Sequence, residues 1–421
     1  MASARSLVAK ASNVGLAAVV IALVLECSCV ANGEFPGGRR ALSASGDPTV
    51  FDITQYGAKG DGSTDSFKAF LSAWIQVCES SVPAKLVVPK GTFLTGPTVF
   101  AGPCKSQVTV EVQGTVKATP GVAGYATPEW ILFERVDNLV LNGGGTFDGQ
   151  GEIAWRDHAC KKRGNCKLPP TSIKFRRMNN TEVHHITSVN SKAFHMFLVK
   201  TINTTIHNVN LIAPDTSPNT DGIHLSNADF VKILDSNIGT GDDCVSVGRG
   251  SNNVTVERVI CGPGHGFSIG SLGKYKGEED VTGVTIRNCT MNNTDNGARI
   301  KTWGGSDASK ASDIVFEDII MNNVKNPIII DQEYGTRGGA SRVEISNVKF
   351  KNIRGTTITK EVVQFVCSSL VPCKEIKVVD VNLAYTGKPL GRKAGGSIVG
   401  AICNHADIIF GGRLNFPLCP A

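Results

Sequence analysis

From about residue 200 onward, one pattern of apolar and polar positions recurs: apolar-x-apolar-x-(Asn/Asp)-apolar-x-apolar. It occupies residues 284–291 around Asn288, 314–321 around Asp318, 343–350 around Asn347 and 376–383 around Asp380. Upstream, 204–211 fits around Asn208 and 254–261 fits with Arg258 at the polar position. Residues 231–238 fit less well, with Ser236 in an apolar slot. Third positions at 206, 233, 256, 286, 316, 345 and 378 lie 27, 23, 30, 30, 29 and 33 residues apart.

Side chains alternate faces along a strand, so positions i and i+2 point inward together. The step from i+2 to i+5 breaks the alternation and predicts a bend at the Asn/Asp. A short strand, a bend and a second short strand make one coil of a parallel β-helix, an all-β solenoid whose repeats run 20–50 residues. A β-sandwich would instead want tight hairpin turns between consecutive strands. The uneven period predicts loops of different length projecting from some coils, where they can wall a cleft.

An open solenoid end needs a cap. Residues 65–78 predict an amphipathic helix with Asp65 as N-cap and Phe67, Phe70, Leu71, Trp74, Ile75 and Cys78 on one face. Ahead of it, Arg5 and Lys10 precede a 12-residue apolar run, 14–25, too short for a bilayer span. Small residues follow, and Cys29-Val30-Ala31 suits cleavage. The expected organisation is a signal peptide over 1–31, a flexible leader over 32–50 and one β-helix domain over 51–421. No other stretch could cross a bilayer, and the chain is expected to be extracellular and monomeric.

Composition agrees. Glycine supplies 46 of 421 residues without a Gly-X-Y period, which suits many turns and excludes collagen. The net charge of +6 is a mild excess that suits an acidic extracellular polymer without establishing one, and no nucleic-acid partner is expected. Beyond the signal, eleven cysteines fall mostly into sequence-local couples: 78/104, 160/166, 244/261, 367/373 and 403/419. With no C-x-x-C spacing for zinc, these read as disulfides of an oxidising compartment. Cys289 is left over, in an inward slot of its repeat. Sequons at Asn179, Asn203, Asn253, Asn288 and Asn292 fit the same compartment. Asn288 lies at a bend expected to be buried, so Asn203, Asn253 and Asn292 are the better glycan acceptors.

Candidate chemistry concentrates in residues 217–334. Asp221 to Asp243 is 22 residues and Asp243 to His265 is 22 more, one coil each. Neighbouring coils lie about 4.8 Å apart, so Asp221, the Asp242/Asp243 pair and His265 should stack on one face. Steps of 34 to Arg299 and 35 to Tyr334 read as single coils with longer loops, residues 274–280 being one such loop. Crowded like charges raise the pKa of one carboxyl, letting one member hold a proton while another stays a base. Cleavage of a glycosidic bond needs that pair. Arg299 and Lys301, at i and i+2, read as a clamp for an anionic sugar.

Asn219-Thr-Asp221, Gly241-Asp242-Asp243, Gly264-His265-Gly266 and Arg299-Ile-Lys301, in that order, resemble the four signature motifs of the polygalacturonases, glycoside hydrolase family 28. The resemblance runs from residue 51 to the C-terminal cysteines and extends to the plant pollen-type branch, commonly exo-acting, with endo-acting cleavage as the alternative it leaves open. It implies a right-handed parallel β-helix and inverting hydrolysis of α-1,4 bonds in polygalacturonate, with no metal or other cofactor. By motif it implies Asp242 as general acid, Asp221 and Asp243 as holders of the water, and His265 as support for the acid. Asn219 would position substrate, Arg299 and Lys301 would bind the galacturonate carboxylate, and Tyr334 would contact substrate. Two other readings fit parts of the pattern. A pectate lyase could use the three aspartates as calcium ligands, and an inactive solenoid could bind cell wall without catalysis.

Overall fold

The computed structural model describes residues 47–157, 167–387 and 400–419. They form a right-handed parallel β-helix. Among them 31 strands join one hydrogen-bonded sheet, and every registered pair is parallel. Among the described residues only two α-helices occur, Phe67–Glu79 and Glu152–Asp157. Neither is long and apolar enough to cross a membrane. The first strand, Thr49–Asp52, begins two residues inside the leader drawn from the sequence.

The predicted ladder runs in register through Ile206, Ile233, Val256, Ile286 and Phe316, all fully buried. The next rung is Phe350, not Ile345, followed by Val378. Ile345 pairs with Ala311 instead. The reason is that this coil turns twice, at Asp313 and Asp318, and its successor at Asn347 and Asn352. The same hydrophobic pattern surrounds both corners, and the repeat drawn from sequence had locked onto the earlier one.

Each corner places a non-glycine residue in the left-handed region. The φ values are 53° at Asn208, 46° at Asp235, 55° at Arg258, 53° at Asn288, 56° at Asp318, 49° at Asn352 and 55° at Asp380. Asn and Asp tolerate this region best among L-residues, which explains the polar position of the repeat. Corner side chains face outward and ladder between coils: Asn352 Nδ2 donates to Asp318 Oδ1 at 2.5 Å and Asn347 Nδ2 to Asp313 Oδ1 at 2.6 Å. Asn288 is therefore exposed, contrary to the expectation of burial. Asn179, Asn203 and Asn253 are exposed too and Asn292 is half-buried, so the register gives no reason to exclude Asn288 as an acceptor.

The first helix packs against the N-terminal coils. Its buried stripe is Ala69, Phe70, Ala73, Trp74 and Val77, with Trp74 against Phe100 at 4.8 Å and Phe133 at 6.2 Å. Phe67 and Leu71 sit at the edge of that stripe and Ile75 is exposed, so the apolar face is rotated from the one drawn on sequence. Asp65 does accept the Phe67 N–H at 3.0 Å, although the flanking cap residue is Ser66.

Disulfides join Cys78–Cys104, Cys244–Cys261, Cys367–Cys373 and Cys403–Cys419. The 160/166 couple lies outside the described residues. Cys289 is free and buried, and burial pushes its thiol up to about 12. One thiol should titrate after denaturation and none in the native protein. Labelling of native Cys289, or a disulfide mapped to it, would contradict this register.

Candidate active site

The acidic cluster is built by three consecutive coils. Strands Ile223–Leu234, Val245–Val247 and Phe267–Leu272 align Ile223, Val245 and Phe267. Asp221, Asp243 and His265 each lie two residues ahead of that register, so they stack as the 22-residue spacing predicted. The turns between them are tight. A Cβ at Gly241 would stand 2.0 Å from the Ser217 carbonyl oxygen, and the Gly241 N–H donates to Thr220 Oγ1 at 2.9 Å. Only glycine lets the turn bearing Asp242 and Asp243 sit this closely on the one bearing Asn219 and Asp221.

The next coil departs from the predicted steps. His265 is level with Asn296, while Arg299 is in register with Ser268, Ser246 and His224, three residues further along the strand. Arg299 pairs onward with Ile329, leaving Tyr334 five residues beyond that rung. Long side chains close the gaps. Lys301 Nζ and the Arg299 guanidinium lie 5.1 and 5.8 Å from the centre of the Tyr334 ring.

The three carboxyls occupy different environments. Asp243 is 1% exposed. Its Oδ1 accepts from Arg299 Nη2 at 2.6 Å and Ser268 Oγ at 2.9 Å, and its Oδ2 from Lys301 Nζ at 2.7 Å. Burial pushes this carboxyl up, but Lys301 and Arg299 outweigh it and hold Asp243 below the usual carboxylate range. Asp221 accepts from Ser246 Oγ at 2.7 Å. Burial, then the charges of Asp242 and Asp243, raise it well above its ordinary value. Asp242 Oδ1 meets His265 Nδ1 at 2.9 Å, and its Oδ2 accepts from Asn219 Nδ2 at 3.3 Å. The hydrogen bond to Asp242 raises the His265 imidazole against the opposing effect of burial.

One atom each of Asp242, Asp243 and His265 falls within 4.8 Å of the others, a spacing that could hold a metal ion. Both Asp243 oxygens, however, already face cations at 2.6 and 2.7 Å. A divalent ion there would meet two positive charges. The donor set therefore suits a proton-transfer centre better than the calcium site of a lyase.

Around this cluster opens a cleft of about 500 Å³. It gathers Asn219, Asp221, Asp242, Asp243, Lys301 and Tyr334 from the sequence expectation, with His265 and Arg299 bonded to that set. Sequence reasoning missed His224, which hydrogen-bonds Ser246 at 2.6 Å and packs against Phe194 and Phe197 at 4.6 and 4.9 Å. Burial lowers its imidazole to about 4, so it stays neutral. Its place three residues after Asp221, on the strand that Asp221 leads into, was the available signal. Ser268 supports Asp243 by donating its hydroxyl to Oδ1. Arg249, Lys274, Tyr275 and Trp303 complete the wall.

The sequence profile of the glycosyl hydrolases family 28 matches residues 78–394. The chain belongs to glycosyl hydrolase family 28. An exopolygalacturonase of Arabidopsis thaliana is 68% identical over the whole of both chains. A maize exopolygalacturonase is 44% identical over 86% of this chain and 91% of its own. Among solved structures, a Thermotoga maritima exopolygalacturonase superposes with a TM-score of 0.72 at 22% identity, covering 86% of this chain and 90% of that one. A polygalacturonase from Erwinia carotovora gives 0.67, also at 22%, covering 89% and 100%. At these identities the structural likeness speaks to the fold.

Proposed function

We propose that this family 28 hydrolase is a secreted exopolygalacturonase that cleaves α-1,4-galacturonosidic bonds of polygalacturonate in the cell wall. The observation that carries the reading is Asp243, held ionised by Arg299 and Lys301 beside Asp221 and Asp242 at the floor of the cleft. The two cations exceed the one anion they bind by a charge, leaving room for the carboxylate of an incoming uronate. The identity to plant exopolygalacturonases supports both the substrate and the end-acting mode.

In this mechanism Asp242 gives its proton to the glycosidic oxygen as the bond to the anomeric carbon breaks. His265, hydrogen-bonded to Asp242, returns a proton to that carboxyl between turnovers. Asp243 orients a water for attack on the opposite face of the sugar and takes its proton, with Asp221 completing the water's hydrogen bonds. Asn219 steers Asp242 and contacts substrate, and Tyr334 covers the cations from the solvent side. No metal or cofactor enters. The four disulfides and the exposed sequon asparagines support an oxidising, extracellular location for a monomer that works at no membrane surface.

Size separation of early products tests the reading. Free galacturonic acid should appear alone at low conversion. A ladder of oligomers would show internal cleavage, and no new reducing ends would reject the activity.

A further inference from the structure

One corner of the solenoid carries an apolar side chain where the fold otherwise places polar ones. Phe230 has a φ of 54° and is 55% exposed. Among the described residues, every other non-glycine residue with positive φ is polar. A bulky side chain in the left-handed region is strained, and such a cost persists where the surroundings impose it or a function uses it.

Phe230 interrupts a ladder of amides. Asn180 Nδ2 donates to Asn138 Oδ1 at 3.1 Å, and Asn203 Nδ2 donates to Asn180 Oδ1 at 2.8 Å. The pairs Ile202–Asp229 and Thr204–Val231 put Phe230 level with Asn203. The pairs Asp229–Asn252 and Val231–Val254 put Asn253 level with Phe230 on the next coil. With no amide at position 230 to bond, Asn253 Nδ2 turns to Asp229 Oδ1, on the Phe230 coil, at 2.9 Å. The nitrogen of Asn253 is thus held toward the coil that bears the ring. On its far side the level is taken by Gly283, where a Cβ would stand 3.3 Å from Asn253 Oδ1. Asn253 is exposed and opens the sequon Asn253-Val254-Thr255. Its amide nitrogen carries two hydrogens, and Asp229 takes only one of them.

We propose that Asn253 carries an N-linked glycan whose first N-acetylglucosamine lies on the Phe230 ring. The C–H face of the sugar is apolar, and the aromatic ring offers it a flat partner. The glycine at 283 leaves room on the opposite side. Attachment takes an oligosaccharide carried on a lipid pyrophosphate. A bond forms between Asn253 Nδ2 and the anomeric carbon as the bond from that carbon to the pyrophosphate oxygen breaks. The lipid pyrophosphate leaves with the electron pair, and Nδ2 gives one proton to the base of the transferase. Its other proton remains for Asp229. The inference rests on the reading of the chain as secreted.

The test uses the full chain secreted by a host that makes only high-mannose glycans, as wild type, Phe230→Asn, Thr255→Ala and the double variant. Asparagine suits the 230 corner, as Asn203 and Asn253 show at the same level. Glycopeptide mass spectrometry should find hexosamine on Asn253 in the wild type and in Phe230→Asn, and none there once Thr255 is replaced. Unfolding rates in urea then read the contact as a double-mutant cycle. Thr255→Ala should speed unfolding about 2- to 10-fold more with phenylalanine at 230 than with asparagine, the worth of one aromatic contact. Trimming every glycan to its first N-acetylglucosamine should preserve that difference. An equal effect in both backgrounds, a difference lost on trimming, or a bare Asn253 in the secreted protein would each overturn the platform while leaving secretion intact. A chain retained in the cell with all five sequons bare would remove both.

Discussion

Asp243→Asn is expected to lose both stability and activity. The side chain is buried and bonded to Arg299 and Lys301, themselves only 7% and 6% exposed. Asparagine nearly matches the shape but leaves two buried cations without their anion. Breaking a buried charge pair by removing one partner costs about 3–5 kcal/mol, because the remaining charge is uncompensated. Denaturant unfolding at neutral pH should show a loss of that order, and kcat should fall at least about 10²-fold since the water loses its base. A variant as stable as the wild type would mean that Asp243 does not neutralise the pair.

Asp242→Asn should behave differently. Asp242 is only partly buried, and its partners are His265 and the neutral amide of Asn219. An asparagine carbonyl at the Oδ1 place can keep His265 and the Asp243 N–H, and Asn219 can turn its amide to accept from the new Nδ2. Stability should stay within about 1 kcal/mol of wild type, while kcat falls about 10²–10⁴-fold through loss of the proton donor. Together the two variants separate a carboxyl that serves chemistry alone from one that also holds the site together. A folded Asp242→Asn protein with near wild-type kcat would refute its role as the acid.

Much of this site was legible because the solenoid converts sequence spacing into spatial stacking. The 22-residue steps from Asp221 to Asp243 to His265 equal one coil each, and the structure stacks them. The spacing was less reliable further along. Arg299 falls off the His265 column because that coil is 31 residues long and puts Asn296 at the His265 level, and Tyr334 because the register shifts after Lys301, irregularities with no sequence signature. The slip from Phe350 to Ile345 arose similarly, since two corners five residues apart carry the same pattern. The misjudged burial of Asn288 came from treating the bend as inward-facing, whereas a left-handed corner turns its side chain outward. The electrostatic division among the three carboxyls was not legible. It depends on Lys301 and Arg299 reaching Asp243 across 58 and 56 residues of chain.

The anomeric outcome probes the central claim from a direction independent of mutation. An oxygen of Asp242 and one of Asp243 come within 4.8 Å, closer than the about 6.5–9.5 Å usual between inverting carboxyls. Spacing alone would favour a covalent route. Against it, Arg299, Ser268 and Lys301 bond both Asp243 oxygens and draw off its charge, which weakens it as a nucleophile, while the lone pair left on Oδ2 can still accept a hydrogen bond from water. Proton NMR during the first minutes of polygalacturonate digestion reads the result directly. Direct displacement by that water gives free galacturonic acid released first as its β anomer, with no olefinic signal. The α anomer appearing first, or an unsaturated C4–C5 product, would contradict the account.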